Sequence, residues 1–444
     1  MSASLKALLR RSVTHVIRRV SIKRLKTDGT YETEWLDVSN YVVKYGRIVK
    51  SFGDSVFLGN MQIEGNTVVL DNTYRKFNDE NDERSLFKGF STRYRTKFKT
   101  EVFFFDFEPQ DPFVLGVSLL GAGALNSLYP GVEVPAFTFY GVSYGSPSVS
   151  GDGNISFNVA AMIKVFQNYA SSGIDGSGSP TTQQLLERLV TKTQNGVRIF
   201  DHFFEGNNDA ERYKLNESGA AVTSISEPLV LQSQTVFNKM VDYSIVDDFF
   251  FDVDQSGAFV WKTKSTSSEP VWEFHGAGSI NNDYGINIVS IDSERDGLEN
   301  FWSKIAIEYS ESTFATASIS WTPGDLSVTD RYGERIFSTQ LVELTESEAS
   351  IVAATLLNRY SSLKKEWEIT TIFIPHLEVR DVVLINWIGE PIVADPFILG
   401  ASKLGTGVLS NYLGSISIIN QRAKIIRMEH DCDGLVSKFT LREI

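Results

Sequence analysis

One stretch of this chain occurs twice, and that duplication limits the possible folds more than any other feature. DPFVLGVSLLGAGAL, residues 111–125, returns as DPFILGASKLGTGVL, residues 395–409. About ten of the fifteen positions are identical, and the replacements are mild, such as Val114 for Ile398 and Ala124 for Val408. The flanks extend the match. TEVFFFDFE, residues 100–108, leads into the first copy and RDVVLINWI, residues 380–388, into the second, each with an acid before an apolar, β-forming run. Two further apolar alternating runs follow each copy, at 136–142 and 155–165, and at 416–428 and 436–441. Each end of the chain therefore reads as strand, glycine-rich insert and hairpin, a duplicated β-domain separated by unrelated material.

A length of 444 residues corresponds to about three domains, each able to bury its own core. The net charge of -13 argues against a nucleic-acid binder, because affinity for phosphate needs clustered Lys and Arg that release counterions. The one basic stretch holds Lys6, Arg10, Arg11, Arg18, Arg19, Lys23, Arg24 and Lys26 without an acid. It reads as a short helix running into a first strand at 15–25 with an exposed basic face, or as an arm for an acidic partner. No apolar core follows these charges, so no signal peptide is expected. The single Cys432 excludes internal disulfides. Residues 112–132 are uncharged and long enough to flag a membrane span. Their glycines and two prolines are poor helix material, and the second copy is interrupted by Lys403, so no stable span is expected.

Residues 12–105 alternate β-forming runs with turn signals every eight to twelve residues, the rhythm of a barrel or sandwich. At 170–180, ASSGIDGSGSP reads as a linker. Ser179 as N-cap and Pro180 at the first helical position then predict a helix through Lys192, with Leu185, Leu186 and Leu189 on one face. A second helix is expected from about 233 to 243, and FFFDV, a DQSG turn and AFVWK predict a hairpin over 249–262. Thr345 and Glu348 form a capping box before Val352, Ala353, Leu356, Leu357, Tyr360 and Leu363 at helical spacing. The expected class is α+β, mainly β, with two similar β-barrel-like domains at the chain ends flanking a smaller α+β middle region. The boundaries predicted are 1–169 with an insert at 111–132, 170–296, and 297–444 with a capped helix at 346–364 and an insert at 395–414.

Catalytic and metal chemistry find little support. The five histidines, His15, His202, His275, His376 and His430, lack metal-ligand spacing. Residues 429–434, EHDCDG, concentrate donors at a hairpin tip whose Asp-Gly turn geometry already explains them. DVDQSG, 252–257, imitates the start of a calcium loop but has Thr263 where a bidentate Glu is required, so a hairpin turn is the better account. No phosphate loop, nucleophile elbow or Cys/His pair is present, and 55 acids are too many for sequence to select a catalytic pair. No enzyme, cofactor or metal is expected. The candidate interaction residues are those of the inserts: Asp111, Phe113, Leu115, Gly116, Leu120 and Gly121 in the first, and Asp395, Phe397, Leu399, Gly400, Leu404 and Gly405 in the second. They read either as packing devices inside each barrel or as loops that project and meet neighbours, since a sizeable apolar loop is unfavourable in water.

TVVLDNTYRKFNDENDERSLFKGF, 67–90, following DVSNYVV at 37–43, resembles a stretch found in tail-tip and baseplate hub proteins of tailed bacteriophages. WEITTIFIPHLEVRDVVLIN, 367–386, after the capped helix, is similar to the C-terminal half of the same family, as is the closing hairpin turning at Asp433-Gly434. There the family typically has Gly-Asp-Val; this chain has Arg380 at the glycine. The resemblance implies a virion structural protein of the phage tail, made in the host cytoplasm. It further implies a homotrimer whose two β-domains per chain form a pseudo-hexameric ring joining a sixfold tail tube to a threefold tip. Implied partners are the tail tube or distal tail protein ring, a tip, spike or fibre protein and the tape measure protein, with DNA passing through an acidic channel without specific binding. Two alternatives stand beside it. One is a host-recognition or carbohydrate-binding tail protein with Trp261, Trp272 and Phe274 as a sugar platform; the other is a cell-wall hydrolase.

Overall fold

The computed structural model describes residues 15–444 except 53–60, 63–65, 108–130, 170–177, 192, 195–196, 199–203, 207, 226–234, 248, 264–268, 277–286, 296–300, 311, 320–332, 342–343 and 388–417. The first third of the chain supplies β1 (His15–Lys26), β2 (Leu36–Asp37), β3 (Val42–Lys44), β4 (Arg47–Phe52), β5 (Met61–Gln62), β6 (Asn66–Asp71), β7 (Phe90–Phe107), β8 (Gly131–Ser143), β9 (Ser148–Val149) and β10 (Asn154–Ala161). The middle holds α1 (Thr182–Val190), β11 (Thr193–Gln194), β12 (Val197–Arg198), α2 (Asp209–Arg212), β13 (Tyr213–Leu215), α3 (Val236–Val246), β14 (Phe249–Val253) and β15 (Phe259–Thr263). The rest gives β16 (Trp272–His275), β17 (Ile288–Arg295), β18 (Lys304–Ser310), β19 (Thr313–Ser318), β20 (Ile336–Gln340), α4 (Glu346–Tyr360), β21 (Glu366–Ile372), β22 (Val382–Trp387), β23 (Ile418–Asp431) and β24 (Val436–Glu443). The protein is mainly β, as its alternating runs require.

Local chemistry sets these elements. In β6 and β10 the period of two turns Val68, Leu70, Ile155, Phe157 and Val159 into the core while Thr67 and Asn158 face out. Helix α4 starts from the Thr345/Glu348 capping box and buries Ala349, Val352, Ala353, Leu356, Leu357 and Tyr360. It ends at Tyr360 rather than 364. Helix α1 corrects the sequence reading. Its N-cap is Thr181, whose hydroxyl accepts from the Gln184 amide while the Gln184 side chain returns to the Thr181 amide; Ser179 instead takes a left-handed φ of 47°. The second helix likewise begins later than expected, capped by Thr235.

Two large sheets dominate. The first runs β2-β1-β7-β8-β10-β6-β3, with β9 added to β10; the second runs β16-β22-β23-β24-β21-β17, with β4 on β23 and β5 on β4. Six strands of each correspond one to one. Taken in chain order, β1, β3, β6, β7, β8 and β10 take the same places in the first sheet as β16, β17, β21, β22, β23 and β24 in the second. Four of the five neighbour pairings are antiparallel in both, from β7·β8 and β22·β23 through to β6·β3 and β21·β17. Only the edge differs, β1 being antiparallel to β7 and β16 parallel to β22. A short sequence repeat thus sits inside a repeated strand order. Between the second and third strands of this order each copy carries its own addition. The first inserts β4 and β5; the second inserts the β19-β18-β20 sheet, on which α4 packs.

The sheets are locked together. β7 accompanies β8 from Gly131 to Val142, whereas the shorter β22 reaches only from Ile418 to Lys424 of β23. β4 takes over from there, pairing Arg427 to Asp431 with Ser51 to Arg47. Across the interior, Phe104 of β7 meets Phe373 at 6.5 Å between ring centroids and Phe137 of β8 meets His430 at 5.3 Å. Burial of such rings is worth about 1.5–3 kcal/mol each.

The turn before β22 explains the Arg380 departure. Its φ is 80°, a region that favours glycine, and its amide donates to Ile425 at 2.7 Å. The nearly buried guanidinium lies 5.1 Å from the Phe250 ring centroid, a cation–π contact that offsets the strained backbone. Arg380→Gly is therefore expected to be more stable than Arg380→Ala by about 1 kcal/mol, since both lose the guanidinium and only Ala keeps the strain. Urea midpoints of the two variants test this; equal midpoints would sink the strain argument.

Candidate assembly junction

The twelve insert residues, Asp111 to Gly121 and Asp395 to Gly405 in the set named above, lie outside the described residues, but the strands that root them do not. The first insert joins β7 to β8, whose register closes at Phe107 opposite Gly131. The second joins β22 to β23, closing at Trp387 opposite Ile418. Both roots are the same connection between the same two neighbours of the repeated sheet. Two inserts of like sequence therefore leave two like sheets from like positions.

The second feature is the seat of the β23–β24 hairpin tip. Asp433 accepts the Tyr45 and Gly46 amides at 3.0 Å each, one on either carboxylate oxygen. The Cys432 amide donates to the Gly46 carbonyl at 3.3 Å, and Arg18 Nη1 donates to the Cys432 carbonyl at 2.6 Å. Arg18 also lies 4.6 Å from the Tyr45 ring centroid, and Arg47 bridges Glu429 and Asp431. Gly46 has φ 74°, and a Cβ there would stand 2.2 Å from Asn66 Oδ1, so the corner after β3 requires glycine. A tip of the second sheet is thus held in a corner of the first.

The middle region is fastened by buried charge. Glu205 accepts from Lys23 of β1 at 2.9 Å and from Lys97 of β7 at 3.1 Å, with Lys97 almost wholly buried. Burial opposes the charge on Glu205, yet Lys97 and Lys23 outweigh it and hold its carboxyl below the usual range. Lys97 loses more to burial than Glu205 returns, and its ammonium is pushed down to about 8. A second fastening joins β4 to β14, where Lys50 donates to Asp252 at 3.1 Å and to the Val253 carbonyl at 3.3 Å. Sequence reasoning singled out none of Glu205, Lys97 or Lys50; it read Asp433 only as part of an Asp-Gly turn, not as the group that seats the tip.

Among the described residues no cluster of three or more His, Cys, Asp and Glu could hold a metal. His430 is fully buried among Phe137, Phe373 and Phe439, with Nδ1 2.9 Å from the Ser437 hydroxyl; burial, aided by nearby Lys50, pushes it down to about 3 and keeps it neutral. His275 lies 3.0 Å from Glu273, His376 packs on Trp272 at 4.8 Å, and His202 is outside the described residues. The DQSG segment is a hairpin turn: Asp254 accepts the Ser256 and Ala258 amides and pairs with Lys214, while β14 and β15 run antiparallel around it. The alternative of a sugar platform loses its residues. Trp261 and Phe274 are fully buried and Trp272 is 1 % exposed, so they pack the core and present no platform to a sugar. Among the described residues no helix is long and apolar enough to cross a membrane; the uncharged 112–132 window lies almost wholly outside them.

No family model matches the chain, and no curated protein matches it. Solved structures do. The tail protein from Neisseria meningitidis MC58 aligns over 96 % of this chain and 96 % of its own, at 9 % identity and a TM-score of 0.52. Prophage tail protein gp18 from Listeria monocytogenes EGD-e covers 96 % and 94 % at 8 % identity with a TM-score of 0.48. The 43 kDa tail protein of prophage MuSo2 from Shewanella oneidensis covers 96 % and 98 % at 11 % identity with a TM-score of 0.46. At 9 % identity the likeness to the Neisseria protein is one of fold alone. Over nearly its whole length the chain has the fold of a tail protein, which is where its resemblance to phage tail-tip and baseplate hub proteins pointed.

Proposed function

We propose that the chain is a non-enzymatic structural protein of a phage tail, a homotrimeric hub whose two repeated sheets form a pseudo-hexameric ring. The observation that carries this reading is the one-to-one correspondence of six strands in the two sheets, with the two inserts at the same connection. A closed ring of three chains with two like units each presents six similar surfaces to a sixfold tube and three to a threefold tip. The terminal regions form that ring, the last of them taken from β16 onward rather than from 297, because β16 and β17 lie in the second sheet; the middle region packs outside or below. The inserts, with Phe113, Leu115 and Leu120 in one and Phe397, Leu399 and Leu404 in the other, contact the adjacent ring of tail tube or distal tail protein, or the tape measure protein. A tip, spike or fibre protein meets the threefold side. The net charge of -13 suits a channel through which DNA slides without sticking. The virion tail is its place of action.

The test is light-scattering mass on the purified protein together with electron-microscope class averages. A three-chain ring with six lobes and a central hole is expected. A dimer, or a compact tetramer without a channel, would overturn the hub.

A further inference from the structure

We propose that the tip of the β9–β10 hairpin, residues 150–153, is the surface by which one copy of this chain seats on the next, against the exposed C-terminal end of β17 in the neighbouring copy. This rests on the ring reading above and names the contact that closes it.

The argument starts from the junction already present inside the chain. There the tip of the second sheet, between β23 and β24, is held at the corner that follows β3 of the first sheet. β24 corresponds to β10, β23 to β8, and β3 to β17. In a ring where like units alternate, the step from first to second sheet recurs as the step from second sheet to the first sheet of the next chain. The β9–β10 tip then takes the part of the β23–β24 tip, β9 continuing the line of β8, and the end of β17 takes the part of the end of β3.

The two tips match in sequence as well as in place. Asp431-Cys432-Asp433-Gly434 has its counterpart in Ser150-Gly151-Asp152-Gly153, with Asp-Gly at the same two positions. The Gly153 amide donates to the Ser150 carbonyl at 3.1 Å, closing the turn, and Asp152 accepts the Asn154 amide at 3.2 Å. Ser150, Gly151 and Asp152 are all exposed, and Val149 beside them is 61 % exposed, a large apolar side chain left in water within one chain. At the end of β17, Glu294 and Arg295 are both exposed.

The edge beside the tip corresponds as well. Inside the chain β4 adds itself to β23 because β22 leaves that part of the edge open. β9, which pairs Val149 with Ile155 and Ser148 with Ser156 of β10, takes the place of that part of β23, and among the described residues no strand lies on its other edge.

The purified full chain provides the test, because its one cysteine, Cys432, is buried. Ser150→Cys and Glu294→Cys are made singly and together and treated with a short bis-maleimide. The double variant is expected to give two- and three-chain bands on a denaturing gel, and each single variant to run as one chain. Val149→Asp is expected to weaken self-association at least tenfold by sedimentation while far-ultraviolet circular dichroism is unchanged. If rings form but the double variant stays uncrosslinked and Val149→Asp associates like the parent, this contact is wrong and the hub stands. If the chain does not self-associate at any concentration, both fall.

Discussion

Glu205→Gln is expected to destabilise the protein by about 3 kcal/mol, because it removes the carboxylate bonded between two largely buried ammonium groups, Lys23 and Lys97. Breaking a buried pair by removing one partner costs about 3–5 kcal/mol, and the lower end applies since Glu205 keeps 20 % of its side-chain exposure. Gln preserves shape, so the loss reports charge and not packing. A second change separates the two. Lys97→Met in the Glu205→Gln background removes one of the stranded cations and is expected to recover part of the loss, whereas a packing defect would deepen. The pH dependence follows in sign. The Glu205 carboxyl lies below its unfolded value, so its contribution is present above about pH 4.5 and is lost as pH falls through the native value. Lys97 is pushed down to about 8 from 10.5; between those values the unfolded chain holds a proton that the native one has released, and stability from this group rises with pH. Urea midpoints between pH 3 and 7 should fall less steeply for Glu205→Gln than for the parent. A variant within 0.5 kcal/mol of the parent at pH 7, a bound set by ordinary surface substitutions, would remove Glu205 from the account of how the middle region is held.

How much of this was legible in the sequence depends on how local the signal is. The α4 capping box spans four residues, and the structure keeps it as read. The DQSG and Asp433-Gly434 turns were equally local. The α1 cap was misplaced because Ser179-Pro180 offers one plausible start and Thr181 with Gln184 another; the reciprocal pair satisfies two amides and wins. Nothing local says that β4 pairs with β23 more than 370 residues away. That pairing follows from β22 being short, a fact about the length of another strand. The repeated strand order was visible only through the duplicated insert and the runs that flank it. Glu205 lies in a stretch with no periodicity, and its role depends on two lysines brought together by the register of β1 and β7, where Lys23 stands opposite Lys97.

Phe87→Ala is expected to cost about 3–5 kcal/mol, the range for emptying a fully buried aromatic site. It lies in the loop between β6 and β7 that carries the resemblance to hub proteins, and the structure gives that loop a packing role. Asn72 accepts the Phe77 amide at 2.7 Å and donates to Asn78 at 2.8 Å. Ser85 donates to the Asn78 carbonyl at 2.6 Å and accepts the Phe87 amide at 3.0 Å. These polar groups fix the backbone so that Phe77 and Phe87 both enter the core with no exposed surface, Phe87 lying 6.4 Å from Phe157 and Phe77 5.4 Å from Tyr41. Tyr74 belongs to the same stretch but is 71 % exposed, and Tyr74→Ala is expected to change stability by less than about 0.5 kcal/mol. The pair of variants, compared by urea midpoint, distinguishes a packing motif from a binding one. Were the stretch a binding surface, Tyr74 rather than Phe87 would matter, and for association rather than stability. A large loss at Phe87 with Tyr74 silent in both measurements means that this loop builds the first sheet's core and is not a binding surface.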